Sequence, residues 1–451
     1  MIVMKFGGSS LASAERIRHV TEIVKEALPR KPVLVLSAMG DTTDHLLEAA
    51  DGALSGEVSV LRIESLHRST ASELSISEEV FNAELQPLLD ELRSLLIGIS
   101  LIKELTARTR DYLVSFGERL SIRLVAAYCR SLGIGARAFD AWDVGFTSDS
   151  QFGSADLTEE SWSLIASKMQ ALSKDSVLPI VTGFIAKDTE GHITTLGRGG
   201  SDLTATLIGA ACGAEEVQVW KDVDGILTAD PRLVKTAKVV ETVTYEEAAE
   251  LAYFGAQVLH PRSMLPCIKT GTCVRVKNSY NTKAPGTRII ASLDRLSLPV
   301  RAITTKKNVT LIDIVSSRML GQFGFLAGVF SIFADRRLSV DMVATSEVSI
   351  SLTLDAAHDL VALKKDLDRI SNVTIRKGKA IVTLICDVRR SSSILEKAFG
   401  VCAALSVQVQ MVSQGASKVN VSFIVDDEQA APVVKALHAA FFDEAEKEGD
   451  Q

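Results

Sequence analysis

A change of hydrophobic period after Pro285-Gly286-Thr287 limits what this 451-residue chain can fold into more than any other feature. Upstream, short continuous apolar runs alternate with helix-period stretches. The runs are Ile2 to Phe6, Val33 to Leu36, Ala136 to Phe139, Val177 to Val181, Val217 to Trp220 and Cys273 to Lys277. A helix to about Leu28 has Ser13 as its N-cap, with Pro29 and Pro32 closing the turn, and helical patterns fill about 58–130 with an interruption near Gly98. Apolar strands alternating with helices predict an α/β domain of the mostly parallel, helix-sandwiched kind. From about Val309 the strands become period-two. Val348, Ile350, Leu352 and Leu354 alternate with Ser349, Ser351 and Thr353, as on an antiparallel strand with one solvated face. The pattern of 339–355 returns about 70 residues later at 406–426, which reads as βαββαβ written twice, the ferredoxin-like motif. The expected domains are therefore 1–295, 296–376 and 377–451.

Composition excludes several classes. A net charge of −7 argues against a nucleic-acid partner, which draws a basic field. The six cysteines include no C-x-x-C pair, so they predict neither a disulfide framework nor a zinc site, and we expect all six reduced and structural. No histidine has metal-ligand spacing. The N-terminus lacks a signal-peptide h-region, and no apolar run approaches the ~18 residues of a membrane span. The expected compartment is the cytoplasm, with no membrane partner.

Four segments carry candidate chemistry. Lys5-Phe6-Gly7-Gly8-Ser9-Ser10 ends the first strand with a lysine, two glycines and small hydroxyls, which suits a polyphosphate held by backbone N–H groups and a helix N-terminus. The same residues also suit a tight strand-to-helix turn, and the Walker spacing is absent. Gly197-Arg198-Gly199-Gly200-Ser201-Asp202 sets an arginine among glycines, ready to clamp a carboxylate or phosphate bidentately. Asp202 there could bind a metal or orient a nucleophile, or simply cap the helix expected from Leu203. Asp222-Val223-Asp224-Gly225-Ile226 follows a strand, either as a turn or as a nucleotide loop. Ser115-Phe116-Gly117-Glu118-Arg119 is expected at a break between two helices, where Glu118 could take an ammonium group or cap the second helix.

Together with Phe254-Gly255-Ala256 and Val258-Leu259-His260-Pro261, these segments resemble the aspartokinases of the amino-acid kinase superfamily over nearly the whole chain. The repeated modules look like tandem ACT domains, and the plant-type, lysine-sensitive, monofunctional subgroup is the most similar; the length leaves no room for a homoserine dehydrogenase half. The resemblance implies transfer of the γ-phosphoryl group of ATP, with Mg²⁺, to the β-carboxylate of L-aspartate. It implies Lys5 and Asp202 as catalytic groups, and an aspartate pocket of Ser37, Thr43, Glu118, Phe184, Arg198 and Ser201. Nucleotide contacts would come from Lys5, Gly7, Gly8, Ser10, Lys221, Asp222, Leu227, Asp230, Arg232, Gln257 and Val258. No protein-built metal site is implied. Lys221 and Gln257 stand where bacterial relatives commonly have threonine and lysine, which suggests that Lys221 supplies the charge Gln257 lacks. An allosteric amino acid, expected to be L-lysine, would meet Met319, Gln322, Gly324, Phe325, Leu326, Val340, Asp341, Ser346 and Glu347. The ACT modules imply a homodimer or dimer of dimers. Competing readings are a kinase for acetylglutamate or glutamate, and a non-catalytic ACT-type sensor.

Overall fold

The computed structural model of the chain describes residues 1–254, 259–293, 299–316, 323–355, 359–414 and 419–443. The fold comprises two compact units. The first takes in 1–226, 241–245 and 258–293; the second takes in 227–240, 246–257 and 294–451.

The strands of the first unit are β1 (Ile2–Phe6), β2 (Pro32–Leu36), β3 (Ala136–Phe139), β4 (Thr147–Ser148), β5 (Leu178–Thr182), β6 (Ile185–Asp188), β7 (Ile193–Thr195), β8 (Glu216–Lys221), β9 (Thr242–Thr244), β10 (Cys273–Asn278) and β11 (Thr287–Ile290). Eight of them form one sheet in the order β3-β5-β2-β1-β8-β10-β11-β9, while β4, β6 and β7 form a small separate sheet. The large sheet is parallel except between β10 and β11. Its central strands are buried on both faces, which explains why β1, β2 and β5 are apolar runs without alternation. Ser13 caps the first helix, accepting the Arg16 N–H at 3.3 Å.

Two expected helix breaks are absent. Helix Gln86–Ile102 runs through Gly98, because burial of Leu92, Leu96 and Ile99 outweighs the ~1 kcal/mol cost of an internal glycine. Helix Ala107–Ser131 likewise runs unbroken through Ser115–Arg119. It is buried almost all round from Leu113 to Cys129, so tertiary packing holds it where local signals suggested an end.

The second unit contains β12 (Val300–Val315), β13 (Val343–Thr345), β14 (Ser349–Asp355), β15 (Asn372–Cys386), β16 (Met411–Gln414) and β17 (Asn420–Asp426), in the sheet order β13-β14-β12-β15-β17-β16. Both repeats are present, but they share long strands. Val309–Val315 of β12 lies between β14 and the first residues of β15, completing the first module. The preceding stretch, from Val300 to Lys306, pairs instead with Ile381–Cys386 of β15. The fourth strand of the second module thus lies upstream of the whole first module, not after its own last helix. A register irregularity between Lys306 and Val309, with Asn308 at φ 56°, marks the handover. Apolar residues on both halves, Ile303 against Leu384 and Phe423, Ile312 against Leu352, give each module its own core.

Candidate active site

Parallel register assembles the site. Phe6 pairs with Leu36 on one side and Trp220 on the other, and Leu36 pairs with Thr182. The residues immediately following, Gly7, Ser37, Gly183 and Lys221, therefore emerge in one row at the carboxyl ends of β1, β2, β5 and β8, where open α/β sheets bind ligands. Helix Gly200–Ala211 directs its N-terminus at the same edge. A cavity of about 510 Å³ there is lined by Lys5, Thr43, Glu118, Phe184, Ser201, Asp202 and the glycine-rich turn carrying Arg198. Ser37 meets Ser201 across its rim, hydroxyl to hydroxyl at 3.1 Å.

Lys5 Nζ lies 2.7 Å from Asp202 Oδ1, both side chains nearly buried. Asp202 does not cap the helix. The cap is Gly199, and Asp202 occupies the helix's third position, its carboxylate spent on Lys5. Burial pushes the Asp202 carboxyl up, yet the charges of Lys5 and Lys221 prevail and hold it below the ordinary range. Lys221, half-buried at the end of β8, is shifted down, first by burial and then by Lys5, against the attraction of Asp202 and Asp222. Lys5 and Lys221 thus bring two cationic side chains to the edge where phosphate oxygens would lie, set against Asp202 and Asp222.

Glu118 sits mid-helix, 4% exposed. Its Oε1 accepts the Ala38 N–H at 3.2 Å, and Oε2 has no hydrogen-bond partner among the described residues. Desolvation raises its pKa to about 8, although the Ala38 bond and Lys5 pull the other way. Gly117 makes the geometry possible: a Cβ there would fall 2.7 Å from that of Ala38, so only glycine lets the helix reach the loop after β2. A buried carboxyl with one oxygen unsatisfied among the described residues, at a cavity wall, could receive a cation.

Arg198 is exposed and makes no ion pair or hydrogen bond among the described residues. It occupies the tip of a tight turn closed by the Gly200 N–H to the Gly197 carbonyl at 3.0 Å, with Gly199 at φ 75° supplying the left-handed position that a side chain resists. Phe184 takes φ 70°, uncommon for an aromatic residue, with its N–H bound by the Thr204 hydroxyl.

Of the nucleotide-contact residues, Gly7, Gly8, Ser10, Lys221 and Asp222 belong to the first unit. Sequence reading missed Ser279, whose hydroxyl bonds the Ser10 hydroxyl at 2.8 Å and whose N–H bonds the Lys221 carbonyl at 2.7 Å. Its signal was register, since Asn278 pairs with Lys221. Leu227, Asp230 and Arg232 belong to the second unit, where Asp230 and Arg232 pair with each other at 2.7 Å. Gln257 and Val258 lie outside the described residues, as do Met319 and Gln322 of the effector set. Gly324 caps helix Phe325–Asp335, whose first turn includes the exposed Leu326. Val340 is half-buried, and Ser346 and Glu347 are exposed on the turn before β14. Asp341 is already engaged, by Lys306 Nζ and by the Tyr253 hydroxyl, each at 2.8 Å.

Among the described residues no three His, Cys, Asp or Glu side chains are grouped to hold a metal, and all six cysteines are free. No helix among them is long and apolar enough to cross a membrane. The site's lysines and amides, with Asp202 already paired to Lys5, fit Mg²⁺ carried chiefly on phosphate oxygens.

The fold and site define a phosphotransferase of the amino acid kinase family, whose model matches residues 1–278, joined to modules matching the ACT domain at 312–365 and 383–441. Aspartokinase 1, chloroplastic, from Arabidopsis thaliana is 51% identical, across 98% of this chain and 80% of its own length. Aspartokinase III of E. coli in complex with aspartate and ADP (R-state) superposes with a TM-score of 0.80 at 33% identity, covering 98% of this chain and all of that one. The same enzyme in complex with lysine and aspartate (T-state) gives 0.78 at the same identity, covering 98% and 99%. The chain belongs to the aspartokinases, ATP-dependent kinases acting on aspartate.

Proposed function

We propose that this cavity transfers the γ-phosphoryl group of ATP to the β-carboxylate of L-aspartate. The observation that carries the reading is that one cavity presents, beside the Lys5–Asp202 pair, a buried carboxyl, Glu118, whose Oε2 has no hydrogen-bond partner among the described residues, and a guanidinium, Arg198, that makes no ion pair or hydrogen bond among them. Glu118 receives the substrate ammonium, Arg198 its α-carboxylate, and Ser37, Thr43, Phe184 and Ser201 shape the remainder. The β-carboxylate oxygen attacks the γ-phosphorus while the bond to the β,γ-bridging oxygen breaks, and ADP leaves with the electron pair. The nucleophile is already ionised, so no base is required; the work is positioning and charge stabilisation. Lys5, held by Asp202, faces the transferring group, and Gly7, Gly8 and Ser10 offer amides and a hydroxyl to phosphate oxygens. Mg²⁺ bound to those oxygens would neutralise charge as it develops.

Lys221 and Asp222 lie beside the nucleotide in this reading. Lys221→Ala raises the KM for ATP about tenfold while the KM for aspartate stays within about twofold; an unchanged ATP KM removes Lys221 from the nucleotide site. The domain limits 1–295, 296–376 and 377–451 remain our working division of kinase and regulatory modules. For the effector we favour L-lysine, on the grounds of the ACT match and the E. coli lysine complex, with its side-chain ammonium competing with Lys306 for Asp341. We further propose pairing through the ACT modules into a homodimer or dimer of dimers, and a cytoplasmic location, noting that the Arabidopsis relative is named chloroplastic.

The test is ATP-dependent acyl-phosphate formation, trapped with hydroxylamine, offering L-aspartate, acetylglutamate and glutamate, with and without lysine. Aspartate-dependent hydroxamate suppressed by lysine is the expected result. Product with another acid redirects the substrate assignment, and aspartate product indifferent to lysine discards that effector.

A further inference from the structure

The buried carboxylate of Asp111 has no part in the chemistry above, yet it sits seven residues before Glu118 in helix Ala107–Ser131. Seven residues are nearly two turns, so both side chains leave the same helix face, about 10.5 Å apart along the axis. Asp111 is 2% exposed and has no ion pair among the described residues. Instead its Oδ2 accepts the N–H groups of Gly153 and Thr195, both at 2.8 Å, and its Oδ1 accepts the Thr195 hydroxyl at 2.9 Å. Burying a carboxylate on two backbone amides and one hydroxyl, with no cation, is costly, so the segment it holds is one whose position matters.

That segment is the base of the Arg198 turn. Thr195 ends β7, and its carbonyl accepts the Ala155 N–H at 2.8 Å. Leu196 follows, its N–H donated to the Phe184 carbonyl at 2.8 Å and its carbonyl accepting Arg262 Nη1 at 3.0 Å. The Gly197–Gly200 turn begins at the next residue. Arg198 itself makes no ion pair or hydrogen bond among the described residues, so its reach is set by this anchored base.

We infer that Asp111 is a positioning residue that fixes the spacing between the two clamps on the amino-acid substrate, Glu118 carried on the helix directly and Arg198 through Thr195. This rests on the aspartate reading proposed above. Loosening Asp111 displaces the guanidinium and leaves Glu118 in place, so selectivity for the α-carboxylate falls while selectivity for the amino group survives.

The experiment compares L-aspartate with β-alanine, which lacks the α-carboxylate, and succinate, which lacks the amino group, as substrates or competitive inhibitors of the full chain. In Asp111→Ala the aspartate KM rises about tenfold or more, the ATP KM stays within about twofold, and the preference for aspartate over β-alanine collapses by a similar factor. The preference over succinate is unchanged. Asp111→Asn restores most of the loss, because its amide oxygen can accept both N–H groups and its NH₂ can donate to the Thr195 hydroxyl. Thr195→Val gives a smaller loss of the same pattern, readable even if the alanine variant fails to fold. In an Arg198→Ala background Asp111→Ala adds nothing further. Equal loss of both preferences, an ATP KM raised as far as the aspartate KM, or an asparagine variant as poor as alanine overturns the inference. Folded wild-type chain without aspartate-dependent product overturns the function as well, so the two failures are distinguishable.

Discussion

Glu118→Gln gives a more stable protein that no longer uses aspartate. The buried carboxyl has a folded pKa of about 8 against an ordinary 4.5, a raised value. Its favourable contribution is complete below about pH 4.5 and is lost as pH rises through about 8. The empty wild-type site therefore carries a growing penalty over that interval, which an amide of the same shape does not. At pH 8 the variant melts on the order of 10 °C higher, from about 4 kcal/mol at roughly 2–4 °C per kcal/mol for a chain with large unfolding entropy; by pH 5 the difference has nearly closed. Catalysis moves the other way. An amide leaves the substrate ammonium unpaired in a dry pocket, and kcat/KM falls by roughly 10²–10³. In wild type the ammonium must displace the Glu118 proton, so apparent aspartate affinity rises with pH, by up to about tenfold per unit, and levels off near pH 8. Thermal melts and aspartate titrations across pH 5–9 decide it. A variant no more stable than wild type at pH 8, or a flat pH profile of binding, shows that Glu118 is ionised in the empty site.

Lys5→Met abolishes turnover and destabilises the fold at once, because one ion pair does both jobs. Removing a preorganised cation from the transferring group costs about 10³ in kcat. It also strands Asp202, buried at the helix N-terminus, and breaking such a pair from one side costs about 3–5 kcal/mol. The double variant Lys5→Met/Asp202→Asn separates the effects: stability returns, turnover does not. Measured by chemical denaturation and single-turnover phosphoryl transfer, a double variant that regains activity would refute the role of Lys5 in the chemical step.

Much of this site was legible because parallel strands write themselves as apolar runs, and the residue after each run falls on the ligand edge. Lys5, near the end of the first such run, was singled out in that way, whereas Ser37 and Lys221 came from the family resemblance. Glu118 was picked out in the wrong setting, at an expected helix break that the unbroken helix does not have. Gly117 reads as a helix breaker from local propensity, whereas here it is the point of closest approach between a buried helix and the Ala38 loop. Of the two alternatives open for Asp202, the cap is excluded, since the left-handed Gly199 already ends the turn and leaves the aspartate to Lys5. Asp111 had no motif at all; its partners lie 42 and 84 residues away, and only the folded chain brings them to it. The repeat in the last third revealed two ferredoxin-like modules, but a period cannot say which copy owns which strand.

That ownership has a practical consequence. Because Val300–Lys306 closes the second module from a position ahead of the first, the gene cannot be cut cleanly between them. A fragment starting at Val309 keeps the first module's strands but leaves residues 381–386 of β15 as a bare edge, open to another chain. Dissecting the regulatory half by truncation would then report on an aggregating sheet, and the shortest faithful fragment begins before Val300.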